Sequence, residues 1–199
     1  MSAVARRLPE PEPESVRPSK RGEVRQFMRV VAPTGVERAL AETELIVSKT
    51  DLKGVITYAN TVFSRIAALP EGEALGAPHS IIRHPDMPRC VFQLLWDTIQ
   101  DGREIFAYVN NLARDGANYW VFAHVTPTFD AQGRIIGYHS NRRKPDRAAV
   151  EACISLYADL KAMEDAHRSK TEGCAKALAH LVGLLEAQGV SYDEFVFSL

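Results

Sequence analysis

Nine residues, Ser80-Ile81-Ile82-Arg83-His84-Pro85-Asp86-Met87-Pro88, bring together two candidate cations, a carboxylate, an apolar pair and two prolines. Just after them, Val91, Leu94, Leu95, Thr98 and Ile99 recur at three- and four-residue spacing, which predicts an amphipathic helix. Asp86 is expected to cap that helix, with Pro88 in its first turn, where a missing N–H costs nothing. Arg83 and His84 are then held just before a helix N-terminus. Cationic side chains beside free backbone donors suit an anionic or hydrogen-bonding ligand. The same residues admit a structural reading, in which Asp86 caps, Pro85 stiffens the turn and Arg83 and His84 face water. Local physics leaves both open.

Other kinds of chemistry find less support. No nucleophile–base pair sits in a recognisable motif, no Gly-rich phosphate loop follows a strand, and no kinase or cyclase signature is present, so the chain reads as non-enzymatic. Cys90, Cys153 and Cys174 are odd in number and widely spaced, without CxxC or zinc-ligand spacing. Reduced thiols in a cytoplasmic protein are expected. His84 is not followed by any CxxCH haem signature.

The elements that must position these residues fit within 199 residues, room for one domain with appendages. The net charge of −1 offers no basic excess to drive nucleic-acid binding. No apolar run approaches the roughly 20 residues that span a bilayer, and Met1 to Arg7 lacks the apolar stretch of a signal peptide. Residues 1–27 are rich in Pro, Glu and Arg and are expected to be disordered. A lead-in segment, 28–37, carries an apolar patch broken by Pro33-Thr34-Gly35, and nothing decides between helix and strand there.

Residues 38–145 read as one domain. Strands are expected over Thr43–Lys49 and Val55–Tyr58 around a Thr50–Gly54 turn, then a short helix over Asn60–Ala67 and a loop over Gly72–Pro78. After the Arg83-His84 stretch and its helix come strands over Ile105–Ala113, Asn118–Pro127 and Arg134–Ser140, turning at Asp115-Gly116 and at Asp130–Gly133. Two strands, short helices and three strands imply an α+β fold, a five-stranded antiparallel sheet with helices over one face. A small ligand fits between sheet and helices.

Residues 146–199 turn helical. One apolar stripe runs through Val150, Cys153, Ile154, Tyr157, Leu160 and Met163, and another through Leu178, Leu181, Val182 and Leu185. Gly173 is expected to separate the two helices and Gly189 to end the second. Ser191 and Glu194 have capping-box spacing, with Phe195 and Phe197 available for burial. These stripes pack on each other and on the domain, or else form a dimer or partner surface.

The order of elements over 38–143 resembles the PAS domain. The Ile81-to-Pro88 motif, Phe92, Leu95-Trp96 and Val109-Asn110-Asn111 look like the flavin-binding PAS domain of bacterial aerotaxis receptors. So do Asp115-Gly116, Asn118-Tyr119-Trp120-Val121, Ala123, Thr126-Pro127, Gly137-Tyr138 and Ser140, in the same order over about half the chain. The resemblance implies a PAS fold with non-covalent FAD between sheet and helices. It also implies sensing of oxygen or redox state, as in aerotaxis or chemotaxis, with the signal passed to a protein partner. Carried over residue by residue, the cofactor-binding positions are Asn60, Arg83, His84, Asp86, Trp96, Asn111 and Tyr119.

Physical roles follow for several of these. Arg83 can meet a phosphate, Trp96 can stack on the ring, and Asn111 can both donate and accept. Asn60 can equally cap its helix, Trp96 can be core, and only one of Tyr119 and Trp120 can face the pocket. The sequence departs from those receptors at Ile105, where they usually carry a second Trp. Cys90 faintly resembles the reactive Cys of light-sensing flavin domains, but the flanking Asn and Arg are missing. The competing reading is a cofactor-free PAS module serving dimerisation or scaffolding.

Overall fold

A computed structural model describes residues 31–199. The expectations for residues 1–27 and for the start of the lead-in segment lie outside these residues. Five strands form one antiparallel sheet: β1 (Ile46–Thr50), β2 (Ile56–Ala59), β3 (Ile105–Leu112), β4 (Asn118–Phe129) and β5 (Ile135–Arg143), in the order β2-β1-β5-β4-β3. Each of the three hairpin turns is tied by an aspartate. Asp51 accepts from the Lys53 and Val55 N–H groups, Asp115 from Ala117, and Asp130 from Gln132 and Arg134. These side chains copy a backbone turn and set the hairpin register.

One face of the sheet is covered by α1 (Thr61–Ile66), α2 (Glu71–Ala74), a 3-10 turn (His79–Ile82) and α3 (Arg89–Gln100). The Gly72–Pro78 stretch, expected as loop, therefore begins within a helical turn, one short enough to leave no periodic signal. Strand limits shift by one to three residues, with β1 starting at Ile46 and β5 continuing to Arg143. The lead-in chain lies extended against the start of β4, where Asn118 exchanges backbone hydrogen bonds with Val36 and Arg38 at 2.9 and 2.7 Å.

The expected cap of α3 is not Asp86. Pro88 occupies the N-cap position and offers no side-chain bond. The orphan N–H groups of the first turn are met by Glu164, far along the chain, whose carboxylate accepts from Arg89 (2.9 Å) and Cys90 (2.8 Å). Local spacing favoured Asp86, but its side chain is 84% exposed and points elsewhere. A distant buried carboxylate satisfies those N–H groups instead.

Glu164 belongs to the C-terminal helices α4 (Arg147–Asp165), α5 (Lys170–Gln188) and α6 (Tyr192–Ser198). They pack back onto the domain. On the sheet face opposite the first helices, Tyr157 stacks with Trp120 (centroids 6.1 Å) and Phe197 lies 4.7 Å from Phe106. Tyr157 Oη also donates to the Tyr108 carbonyl at 2.8 Å, closing part of the open edge of β3. Meanwhile α5 runs along α3, and Leu160 and Leu181 are buried in the common core.

Two details of this region depart from expectation. Gly173 does not separate α4 from α5; the break falls at 166–169, with Ser169 as N-cap of α5. Gly173 lies inside α5 because a Cβ there would sit 2.4 Å from the Glu164 carbonyl oxygen. Gly189 does end α5 in the left-handed conformation, and Ser191 and Glu194 form the capping box. In α6, though, Val196 is the buried residue and Phe197 stays 58% exposed.

Candidate functional site

A cavity of about 390 Å³ opens between the sheet and the helices on its inner face. That is within the usual size of small-molecule sites. Its floor is sheet: Ser48 and Thr50 of β1, Val109 and Asn111 of β3, Ala123 and Val125 of β4, and Tyr138, Ser140 and Arg142 of β5. Its roof is Phe92, Leu95, Trp96 and Ile99 of α3, with Arg83, His79 and the turn at Lys53-Gly54 closing the sides. Most of the exposed wall is apolar, with polar side chains of β1, β3 and β5 on its floor.

Alternation along the strands selects the lining. On β5, Tyr138, Ser140 and Arg142 point inward together; on β4, Ala123 and Val125 face the cavity while Trp120, Phe122 and His124 face α4 and α6. Small Ala123 and Ser140 leave the space that larger residues would fill. Trp96 stands edge-on to Tyr138 (5.4 Å, 85°), its ring lying against Gly54, where an added Cβ would approach it to 3.0 Å. Positive φ in the turn and room for the indole both require glycine there.

Of the sequence-predicted residues, Arg83, Trp96 and Asn111 converge on the cavity. Arg83 lies over the Phe92 ring at 4.2 Å, donates to the Met87 carbonyl at 3.1 Å, and pairs through its backbone with Asn111 at the edge of β3. Asn111 is 4% exposed, and its Nδ2 has no hydrogen-bond partner among the described residues.

The other four stand outside the cavity wall. Asn60 caps α1 through Phe63 N–H (2.9 Å), also accepts from Val47 and donates to the Leu45 carbonyl, so backbone engages both its amide oxygen and its amide nitrogen. His84 is buried, its Nδ1 accepting from the Asp86 N–H at 3.2 Å, and burial lowers its pKa against the pull of Asp86. Asp86 faces solvent. Tyr119 is fully buried with an unpartnered hydroxyl, and burial raises its pKa well above the ordinary phenol.

The residues that sequence reasoning missed form a polar line across the floor. Arg142 Nη2 donates to Ser48 Oγ at 2.5 Å, and Ser48 Oγ lies 3.1 Å from His79 Nε2. Burial, helped by the Arg142 charge, lowers the His79 pKa to about 3, so the imidazole is neutral, with Nε2 within hydrogen-bond distance of the Ser48 hydroxyl. Period-two alternation through Tyr138, Ser140 and Arg142 carried the signal, had β5 been read beyond Ser140.

Sheet order, short inner helices and a cavity beneath α3 are those of the PAS fold. Residues 56–142 match the PAS fold family. Over 123 residues, 62% of the chain, the sequence is 36% identical to the aerotaxis receptor of Escherichia coli (strain K12), aligning with 24% of that protein. Over 102 residues, 51% of the chain, it is 28% identical to the nitrogen fixation regulatory protein of Klebsiella pneumoniae, aligning with 21% of it. The chain thus spans about a quarter or less of these relatives.

Among solved structures, a light-oxygen-voltage domain studied with a flavin analogue superposes with TM-score 0.50 at 17% identity, over 56% of this chain and 83% of that one. The dark-state LOV domain of the blue-light photoreceptor Aureochrome1 gives 0.50 at 21%, over 55% and 82%. At these identities the likeness is one of fold. Among the described residues no helix is long and apolar enough to cross a membrane.

Proposed function

We propose that this protein is a signal-transduction sensor whose PAS cavity holds FAD and reports oxygen or redox state to a protein partner. The observation that carries this reading is the cavity itself. An apolar slot under Trp96 is bordered by buried donors that find no partner among the described residues, Asn111 Nδ2 and the Nε and Nη1 nitrogens of Arg142. Buried donors without partners cost about 1–3 kcal/mol each, which a ligand rich in acceptors recovers. A flavin ring has such acceptors along one edge, and the residues fit it.

In the bound state Trp96 and Tyr138 supply apolar and aromatic contact, Asn111 and Arg142 meet polar ring atoms, and Arg83 is the cation available to a phosphate. The cofactor supplies the redox chemistry. Asn111 can donate or accept through its amide, so it can follow a ring nitrogen that gains a proton on reduction. Asn111 lies on β3, three residues from Tyr108, whose carbonyl receives the Tyr157 hydroxyl of α4. A hydrogen-bond change at Asn111 therefore has a short route to the C-terminal helices, the surface on which a partner or a second copy would read it. The similarity to a segment of an aerotaxis receptor supports the redox sense of that signal.

The test is titration of the full chain with FAD, comparing wild type with Trp96→Ala and Arg83→Ala. Affinity falls at least tenfold in both variants while the far-UV CD spectrum is kept. Hydrogen exchange in α4 also differs between the oxidised and dithionite-reduced protein. Full affinity in both variants, or identical exchange in the two redox states, contradicts this function.

A further inference from the structure

The cavity floor holds a charge that no carboxylate among the described residues pairs with. Arg142 is 2% exposed. One of its nitrogens donates to Ser48, the Phe63 ring lies 5.2 Å from the guanidinium carbon, and Nε and Nη1 have no partner among the described residues. Burial lowers its pKa to about 10, so it stays protonated at neutral pH. Among the described residues the group that pulls on this charge is the Tyr119 hydroxyl, and no carboxylate pairs with it. His79, two bonds away through Ser48, is held neutral and balances nothing.

A buried cation with two idle donors is expensive, and an apolar residue of similar size often serves the fold better. Arg142 sits level with Ile46 of β1 and Ala123 of β4, both buried and apolar, so an apolar side chain would suit this row. Such a cost persists where the compensating partner is a ligand.

We infer that Arg142 is reserved for the ligand of the cavity: its free Nε and Nη1 donate to the carbonyl-bearing edge of the flavin, and the fixed positive charge favours the reduced ring over the oxidised one. This rests on the flavin reading above. Two electrons and one proton convert the neutral ring into a monoanion, and a cation held against the ring stabilises that added charge. Arg142 thereby sets the redox level at which the sensor switches.

The experiment uses the full chain with Arg142→Met, Arg142→Gln and Arg142→Lys, and three readouts: melting temperature without flavin, FAD dissociation constant, and midpoint potential of the FAD-loaded protein titrated with dithionite. Without flavin, Arg142→Met melts at or above wild type, because a stranded charge has been removed. With FAD, Met and Gln variants bind at least tenfold more weakly. Their midpoint falls by about 30 mV, a tenfold loss of preference for the reduced form in a two-electron couple; Lys keeps most of both. Flavin-free Arg142→Met melting several degrees below wild type makes the guanidinium part of the fold and overturns the inference. So does an unchanged midpoint in the loaded Gln variant. A wild-type chain that takes up no FAD overturns the flavin reading and the redox half of the inference. The flavin-free melting comparison then decides alone whether Arg142 is held for a ligand.

Discussion

Glu164 sets one carboxylate oxygen 2.8 Å from the Cys90 N–H and the other 2.9 Å from that of Arg89, so a residue of the last third of the chain caps the helix that roofs the cavity. The carboxylate is 5% exposed, and the positive end of the α3 dipole favours its charge. The roof of the cavity and the C-terminal helices are thereby joined by two hydrogen bonds.

Removing that carboxylate leaves the buried Cys90 N–H and the part-buried Arg89 N–H without this partner. Glu164→Ala is expected to lose about 1–3 kcal/mol of stability, and Glu164→Gln, which keeps one acceptor, clearly less. Urea unfolding followed by CD measures both. Equal stability of the two variants removes the capping role.

Two glycines of α5 are expected to respond to substitution in opposite directions. Gly173→Ala pushes a methyl to within 2.4 Å of the Glu164 carbonyl oxygen, so α4 and α5 must part, at about 1–3 kcal/mol. A Cβ at Gly183 meets nothing within 4 Å, so Gly183→Ala gains about 0.5–1 kcal/mol from helix propensity. Thermal melts of the pair test this, and a loss at Gly183 contradicts it.

His79 gives stability a dependence on pH with a definite sign. Its folded pKa of about 3 lies below the ordinary 6.5, so between those values the unfolded chain binds more protons. Stability then rises with pH through that window, is complete above it, and is lost as pH falls below 6.5. His84, also lowered by burial, acts with the same sign. The melting temperature is expected to drop from pH 7.5 to pH 5, and less steeply in His79→Gln, whose amide keeps both a donor and an acceptor for Ser48. An unchanged slope in that variant assigns the pH effect elsewhere.

Cys90 is not placed for light chemistry. It is buried among α3, α4 and α5 contacts outside the cavity wall, and burial together with Glu164 pushes its thiol up to about 12. Blue illumination of the FAD-loaded protein should leave no thiol adduct, and Cys90→Ala should give the same spectra. A light-dependent loss of the flavin band that Cys90→Ala abolishes contradicts this placement.

The sheet was legible because its signals are local. Asp-to-Gly turns and alternating β4 and β5 residues are each written within a few positions, and so are the Gly189 stop and the Ser191 capping box. What was hidden depends on distant partners. Asp86 had the right spacing to cap α3, yet Glu164 does so from 75 residues further along the chain. Gly173 reads as a break only until the α4 backbone is seen against it. In the site, Arg83, Trp96 and Asn111 followed from resemblance and do line the cavity, whereas Asn60 spends its amide on backbone. Arg142 was missed although its alternation with Ser140 was available, because an arginine on a strand is ordinarily read as facing solvent.

The most direct test of the account is the absorbance spectrum, from 300 to 600 nm, of the purified full chain after incubation with FAD and removal of the excess. Twin flavin bands that stay with the protein, and FAD recovered on denaturation, are the predicted result. A protein that remains colourless contradicts the flavin reading and leaves a cofactor-free PAS module whose function lies on its C-terminal helices.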